Sequence, residues 1–150
     1  MNIQYLRSLV REFAALPGET EWLEFKCNFA DPKAIGEYLS ALSNSAALNG
    51  KHFGYIIWGI EDTGHAISGT KFKPRQAKKG NQELESWLVM HLSPRIDFKI
   101  HEFTFDEKPI VLFEIPCANH RPVSFKAVEY IRIGTYKKPL KEFPEKERLL

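Results

Sequence analysis

Apolar residues in the first segment fall at Ile3, Leu6, Leu9, Val10, Phe13 and Ala14. Spacing of three and four residues places them in one stripe of an amphipathic helix over residues 2–16, which Pro17-Gly18 ends. Next, Trp22, Glu24 and Lys26 alternate with Leu23 and Phe25, the period of a short strand with one polar face. Asp31-Pro32 opens a second helix, Asp as N-cap and Pro in the first turn, running through Ile35, Leu39 and Leu42 to Ala47. Ala41, Ser43, Ser45 and Ala46 make its far end small, which predicts close packing against a sheet. Asn49-Gly50 stops it, and residues 53–60 follow as a continuous apolar run, the pattern of a central strand.

The second half alternates less simply. Residues 66–69 read as a short strand, 70–80 as a polar basic loop, and 82–92 as a third helix on Leu84, Leu88 and Leu92. Residues 98–105 and 109–115 form an alternating hairpin about Asp106-Glu107-Lys108. Residues 123–125 and 129–133 add two strands, and the tail after Tyr136 is charged and broken by Pro. The order α-β-α-β-β-α-β-β-β-β is no strict βα alternation. It predicts an α+β fold, a mixed sheet with helices mainly on one face, rather than a doubly wound one.

Length and composition add bounds. A chain of 150 residues with 43% hydrophobic residues fits one domain, 1–150, with the tail 137–150 expected to be peripheral. No apolar run is long enough to span a bilayer, and the N-terminus lacks a basic head followed by an apolar stretch. Cys27 and Cys117 make neither a disulfide framework nor a zinc pattern, so free thiols in a reducing, cytoplasmic setting are expected. A net charge of +2 is too mild for a general polyanion coat, so the distribution of charge matters more than its total.

That distribution has two concentrations. Lys71, Lys73, Arg75, Lys78 and Lys79 put five cations in nine residues, with Phe72 among them. Cations track a phosphate backbone and an aromatic stacks on an unpaired base. A solvated loop is the ordinary alternative for such a run. Tyr130, Arg132, Tyr136, Lys137, Lys138 and Lys141 form the second cluster, and Lys26 lies on the polar face of the first strand. Arg121 and Arg132 are the candidates for specific phosphate contact, because a guanidinium bonds bidentately. The histidines show no ligand spacing. No GxxxxGK[ST] run occurs: Gly64 is followed by His65, so ATP hydrolysis is not expected.

An ordered set of motifs carries a resemblance. It comprises Glu-Thr-Glu-Trp-Leu-Glu-Phe-Lys at 19–26, Ala-Leu-Ser-Asn-Ser at 41–45, and Gly-Tyr-Ile-Ile-Trp-Gly-Ile-Glu-Asp at 54–62. Ile-Ser-Gly at 67–69, Arg-Pro-Val at 121–123 and Tyr-Ile-Arg-Ile-Gly at 130–134 complete it. Together they resemble the Schlafen AlbA_2 domain over nearly the whole chain. The stretch 46–52 is less Gly-rich than that family's Asn-x-x-Gly-Gly entry to the strand.

The resemblance implies an AlbA-like α+β domain, found in bacterial proteins described as DNA-binding transcriptional regulators. Some eukaryotic relatives are RNA or tRNA endonucleases with a carboxylate trio, which by motif position falls on Glu19, Glu24 and Asp62. Those relatives carry two such domains, so a homodimer here would supply the second. Carboxylates of this kind hold Mg²⁺ or Mn²⁺, which neutralises phosphate and activates water. Solvated surface carboxylates are the alternative reading of the same residues. The expectation is a nucleic-acid-binding module for DNA or RNA. Its rivals are a metal-dependent endoribonuclease and a self-assembly module without nucleic-acid activity.

Overall fold

The computed structural model describes residues 2–18 and 20–150. The N-terminal stripe forms helix α1, Ile3–Ala14, capped by the Asn2 side chain, with Leu6, Leu9, Val10 and Phe13 buried. Strand β1, Leu23–Lys26, leads to helix α2, Pro32–Leu48, whose first turn is closed by the Asp31 carboxylate accepting from the Ala34 amide. Strand β2 is Phe53–Trp58. Two short strands, β3 at Lys78–Lys79 and β4 at Gln82–Glu83, precede helix α3, Leu84–His91, and strand β5, Leu92–Ser93. The hairpin consists of β6, Lys99–Phe105, and β7, Lys108–Pro116. Asp106 and Glu107 both take positive φ at its tip, the two-residue turn that matches strand twist. Then come β8, Ser124–Phe125, β9, Val128–Ile133, β10, Tyr136–Pro139, and a short helix α4, Pro144–Glu147.

The main sheet has the order β1-β2-β7-β6. Strands β1 and β2 run parallel across α2, and the remaining pairs are antiparallel. The α+β fold with a mixed sheet is therefore present. Strand parity sorts the side chains: Ile56, Trp58, Val111, Phe113 and Ile115 face α2 and α3. Leu23, Phe25, Ile57, Ile110 and Leu112 face α1. Two helices take one face and α1 takes the other.

A second sheet, β10-β9-β8-β5, lies beyond α2, so this helix is held between two sheets. Its small residues make that possible. A Cβ at Gly36 would stand 2.1 Å from the Phe125 ring, and a Cβ at Gly54 would stand 2.7 Å from the Leu42 carbonyl oxygen. The buried hydroxyls and amide of α2 bind the far layer. Asn44 donates to the carbonyls of Val123 and Tyr130 and accepts from the Val123 amide. Ser40 donates to the Val123 carbonyl and accepts from the Tyr130 amide, while Ser45 accepts from the Arg132 amide. Buried backbone groups of a short sheet thereby find partners they would otherwise lack.

Three expectations need correction. Residues 66–69 give only a single bridge, Ile60 to Ile67, because backbone bonds from Ser68 and Gly69 to the Gly59 carbonyl turn the chain away. The third helix begins at Leu84, two short strands having used residues 78–83. The tail is not peripheral at its start. Tyr136–Pro139 pairs with β9 across a turn at Gly134, and Leu140 is buried. Among the described residues, no helix is long and apolar enough to cross a membrane.

Candidate nucleic-acid interface

Strand β1 is an edge of the main sheet, and alternation sends Glu24 and Lys26 towards the α2 side. That face is polar, as the sequence indicates, but it is covered. Glu24 Oε1 stands 2.8 Å from Arg132 Nη1 on β9, and Glu24 Oε2 stands 3.2 Å from Lys26 Nζ. Lys26 Nζ donates to the Tyr38 hydroxyl at 3.1 Å and lies 4.8 Å from the centre of that ring. Lys137 Nζ lies over the same ring at 4.3 Å and donates to Glu37 at 2.9 Å. Tyr130 donates to the other oxygen of Glu37. One network thus ties β1, α2, β9 and β10 together. Burial works against the charge on Lys26, but Glu24 and the Tyr38 hydroxyl outweigh it and hold its pKa above the ordinary lysine value.

The segment after β1 collects further groups. The Phe29 ring lies 4.7 Å from Lys26 Nζ, and its carbonyl accepts from the Trp58 indole. Asn28 Oδ1 accepts from the Lys71 amide at 2.8 Å, and Thr70 Oγ1 donates to the Cys27 carbonyl. A cleft of about 380 Å³ opens there, lined by Cys27, Asn28, Glu61, Ser68, Thr70 and Lys71. Lys26 and Lys137 therefore meet at Tyr38 from two separate strands, and the backbone of Lys71 is bound to Asn28 just after β1. Lys138 is exposed on the same face of β10 as the Tyr136 ring, which is 71% exposed, while Lys137 turns to the opposite face and α2.

Other members of the basic set are placed differently. Arg132 is 1% exposed and ion-paired with Glu24, so it is part of the core and not an outward phosphate contact. Arg75 donates from Nη2 to the Ile100 carbonyl at 2.6 Å and lies 3.7 Å from Glu102, which commits it to β6. Phe72 is buried against Trp58 with ring centres 4.8 Å apart, so it offers no face to a base. Lys73, Lys78, Lys79 and Arg121 are exposed. Lys78 and Lys79 belong to the short β3–β4 hairpin.

A family model described as Schlafen, AlbA_2 matches residues 19–141. The chain belongs to this family. No curated protein matches the sequence. Among solved structures, it is similar to the DIP2311 protein from Corynebacterium diphtheriae, with TM-score 0.55 and 18% identity over 97% of this chain. The chain spans only 28% of the length of that protein. It is also similar to the N-terminal domain of a Nitrosomonas europaea protein described as related to the ATP-dependent DNA helicase RecG. There the TM-score is 0.55, with 21% identity over 88% of this chain and 90% of that one. At these identities the likeness is one of fold.

Of the carboxylate trio that the resemblance implies, Glu24 and Asp62 are among the described residues and Glu19 lies outside them. Strands β1 and β2 are neighbours, as a shared site would require, but Glu24 is opposite Ile56 while Asp62 sits in the exposed turn past the end of β2. Both oxygens of Glu24 already face cations, and the carboxylate is buried. A divalent ion would have to displace Arg132 and Lys26. Among the described residues, no group of three or more His, Cys, Asp and Glu is placed to hold a metal. These two residues do not fit a Mg²⁺ or Mn²⁺ site.

The sequence reading missed Glu37, Tyr38 and Phe29 as members of the site. Tyr38 lies one residue before Leu39 on α2, where helical period alone assigns it no role. Only its nearness to two lysines gives it a role.

Proposed function

We propose that this chain binds nucleic acid through the groove around residues 26–29, with Lys26, Lys71, Lys137 and Lys138 as phosphate contacts and Tyr136 as a stacking surface. The observation that carries this reading is that Lys26 from β1 and Lys137 from β10 meet at the Tyr38 ring, with the backbone of the exposed Lys71 bound to Asn28 beside β1. Lys26 and Lys137 are positioned in advance over the Tyr38 ring, which favours phosphate. An exposed aromatic on the same strand face as Lys138 suits unpaired bases. Lys73, Lys78, Lys79 and Arg121 extend the cationic surface as outer, nonspecific contacts. A role as the nucleic-acid-binding part of a bacterial regulator follows the family and is consistent with a surface that holds cations.

The experiment is a mobility shift with labelled tRNA, single-stranded RNA and duplex DNA, each with Mn²⁺ or EDTA. A salt-sensitive shift without cuts supports the binding module. Metal-dependent cuts that vanish in Glu24→Gln would replace it with the endoribonuclease, and no shift under low salt would remove both.

A further inference from the structure

Strand β6 is the far edge of the main sheet, seven residues long. An unpaired edge of that length offers alternate N–H and C=O groups to any second strand. In an antiparallel ladder, every second residue turns its backbone groups away from its partner. On β6 the outward set is marked by its acceptors. The Ile100 carbonyl accepts from Arg75 Nη2 at 2.6 Å, and the Thr104 carbonyl accepts from Arg7 Nε at 3.3 Å. Glu102 lies between them on the same edge, and its carboxylate stands 3.7 Å from Arg75 Nε.

We propose that Arg7, Arg75 and Glu102 close this edge against strand addition by a second copy of the chain. An antiparallel β6–β6 pair centred on Glu102 sets Ile100 opposite Thr104 and Glu102 opposite itself. Two of the three outward carbonyls that ladder needs are held by guanidinium groups from elsewhere in the fold, Arg7 on α1 and Arg75 on the 70–77 loop. The two Glu102 carboxylates would then face each other directly, with Cβ atoms about 5 Å apart, and like charges so placed repel. Two donors and one repulsive charge therefore act on the same short edge. The inference does not rest on the nucleic-acid reading. It makes any dimer of this chain use a surface other than β6.

The test is sedimentation velocity over a concentration series of the wild type and of Arg7→Ala/Arg75→Ala/Glu102→Thr. The triple variant is expected to associate at concentrations about tenfold or more below any wild-type association, as freed edge hydrogen bonds add up across the pair. A second readout is Glu102→Cys under mild oxidation. A disulfide-linked dimer is expected to form with Arg7→Ala/Arg75→Ala but not in the otherwise wild-type chain. If the triple variant loses its cooperative melt, Arg75→Ala alone, which leaves α1 intact, decides by the same cross-link. A folded variant that sediments like the wild type, or equal cross-linking with and without the arginines, overturns the proposal.

Discussion

Glu24 and Arg132 stand 2.8 Å apart with both side chains buried, joining the edge strand of the main sheet to the central pair of the second sheet. Lys26 on the other oxygen of Glu24 extends the pair towards the surface. The same contact does two things: it clamps the two layers, and it withholds from solvent the carboxylate and the guanidinium with the most obvious chemical promise.

Removing one partner of a buried pair strands the other charge. Arg132→Met is expected to lower unfolding free energy by about 3–5 kcal/mol, read from urea melts. Glu24→Gln combined with Arg132→Gln should cost less than the sum of the two single changes. Additive losses would mean that the pair is not an energetic unit.

Asn44 is the second clamp. It makes three hydrogen bonds to backbone groups of Val123 and Tyr130, all in the interior. Asn44→Ala removes the partner of the Val123 amide and of the Tyr130 carbonyl, the Val123 carbonyl keeping Ser40, and is expected to cost about 2–4 kcal/mol. Hydrogen exchange should show the loss first at the amides of β8 and β9. Uniform acceleration across the main sheet would contradict this placement.

His101 gives a pH dependence. Burial lowers its pKa below the ordinary value of 6.5, Glu114 beside it pulls the other way, and Arg75 and Lys99 add to the lowering. Its Nε2 stands 3.9 Å from Glu114, which also accepts from Tyr5 on α1. A depressed folded pKa means that the unfolded chain binds the proton more readily, so this stability is present above pH 6.5 and is lost as pH falls below it. His101→Gln should flatten the change in melting temperature between neutral and mildly acid pH. An unchanged slope would assign that dependence to other groups.

Much of the fold was legible because it is local. The α1 stripe, the Asp31-Pro32 start and the hairpin each need only a few adjacent residues; the first two are where the pattern places them, and the hairpin turn is one residue shorter, Lys108 pairing with Phe105. The site was only half legible. Alternation correctly put Glu24 and Lys26 on one face of β1, yet period alone says nothing of what covers that face. Arg132 arrives from a distant segment, and only tertiary structure brings it there. Ser45 was read as a small residue for packing, while it and its neighbours Ser40 and Asn44 hydrogen-bond to a sheet formed much later in the chain. The strand at Tyr136–Pro139 escaped because its lysines and Pro lack strand character; it exists by pairing with β9. Phe72 sits among cations in sequence but turns inwards to Trp58.

The most direct test of the binding groove is fluorescence anisotropy of a labelled single-stranded RNA over a salt series. It compares the wild type with Lys71→Gln/Lys137→Gln and with a charge-matched control, Arg95→Gln/Lys99→Gln, placed before and at the start of β6. The groove predicts that its variant weakens binding and lowers the slope of log K against log salt by about 1 for each phosphate contact removed. The control should keep the wild-type affinity and slope. Equal losses in the two variants would show attraction to net charge alone and would contradict a groove at residues 26–29.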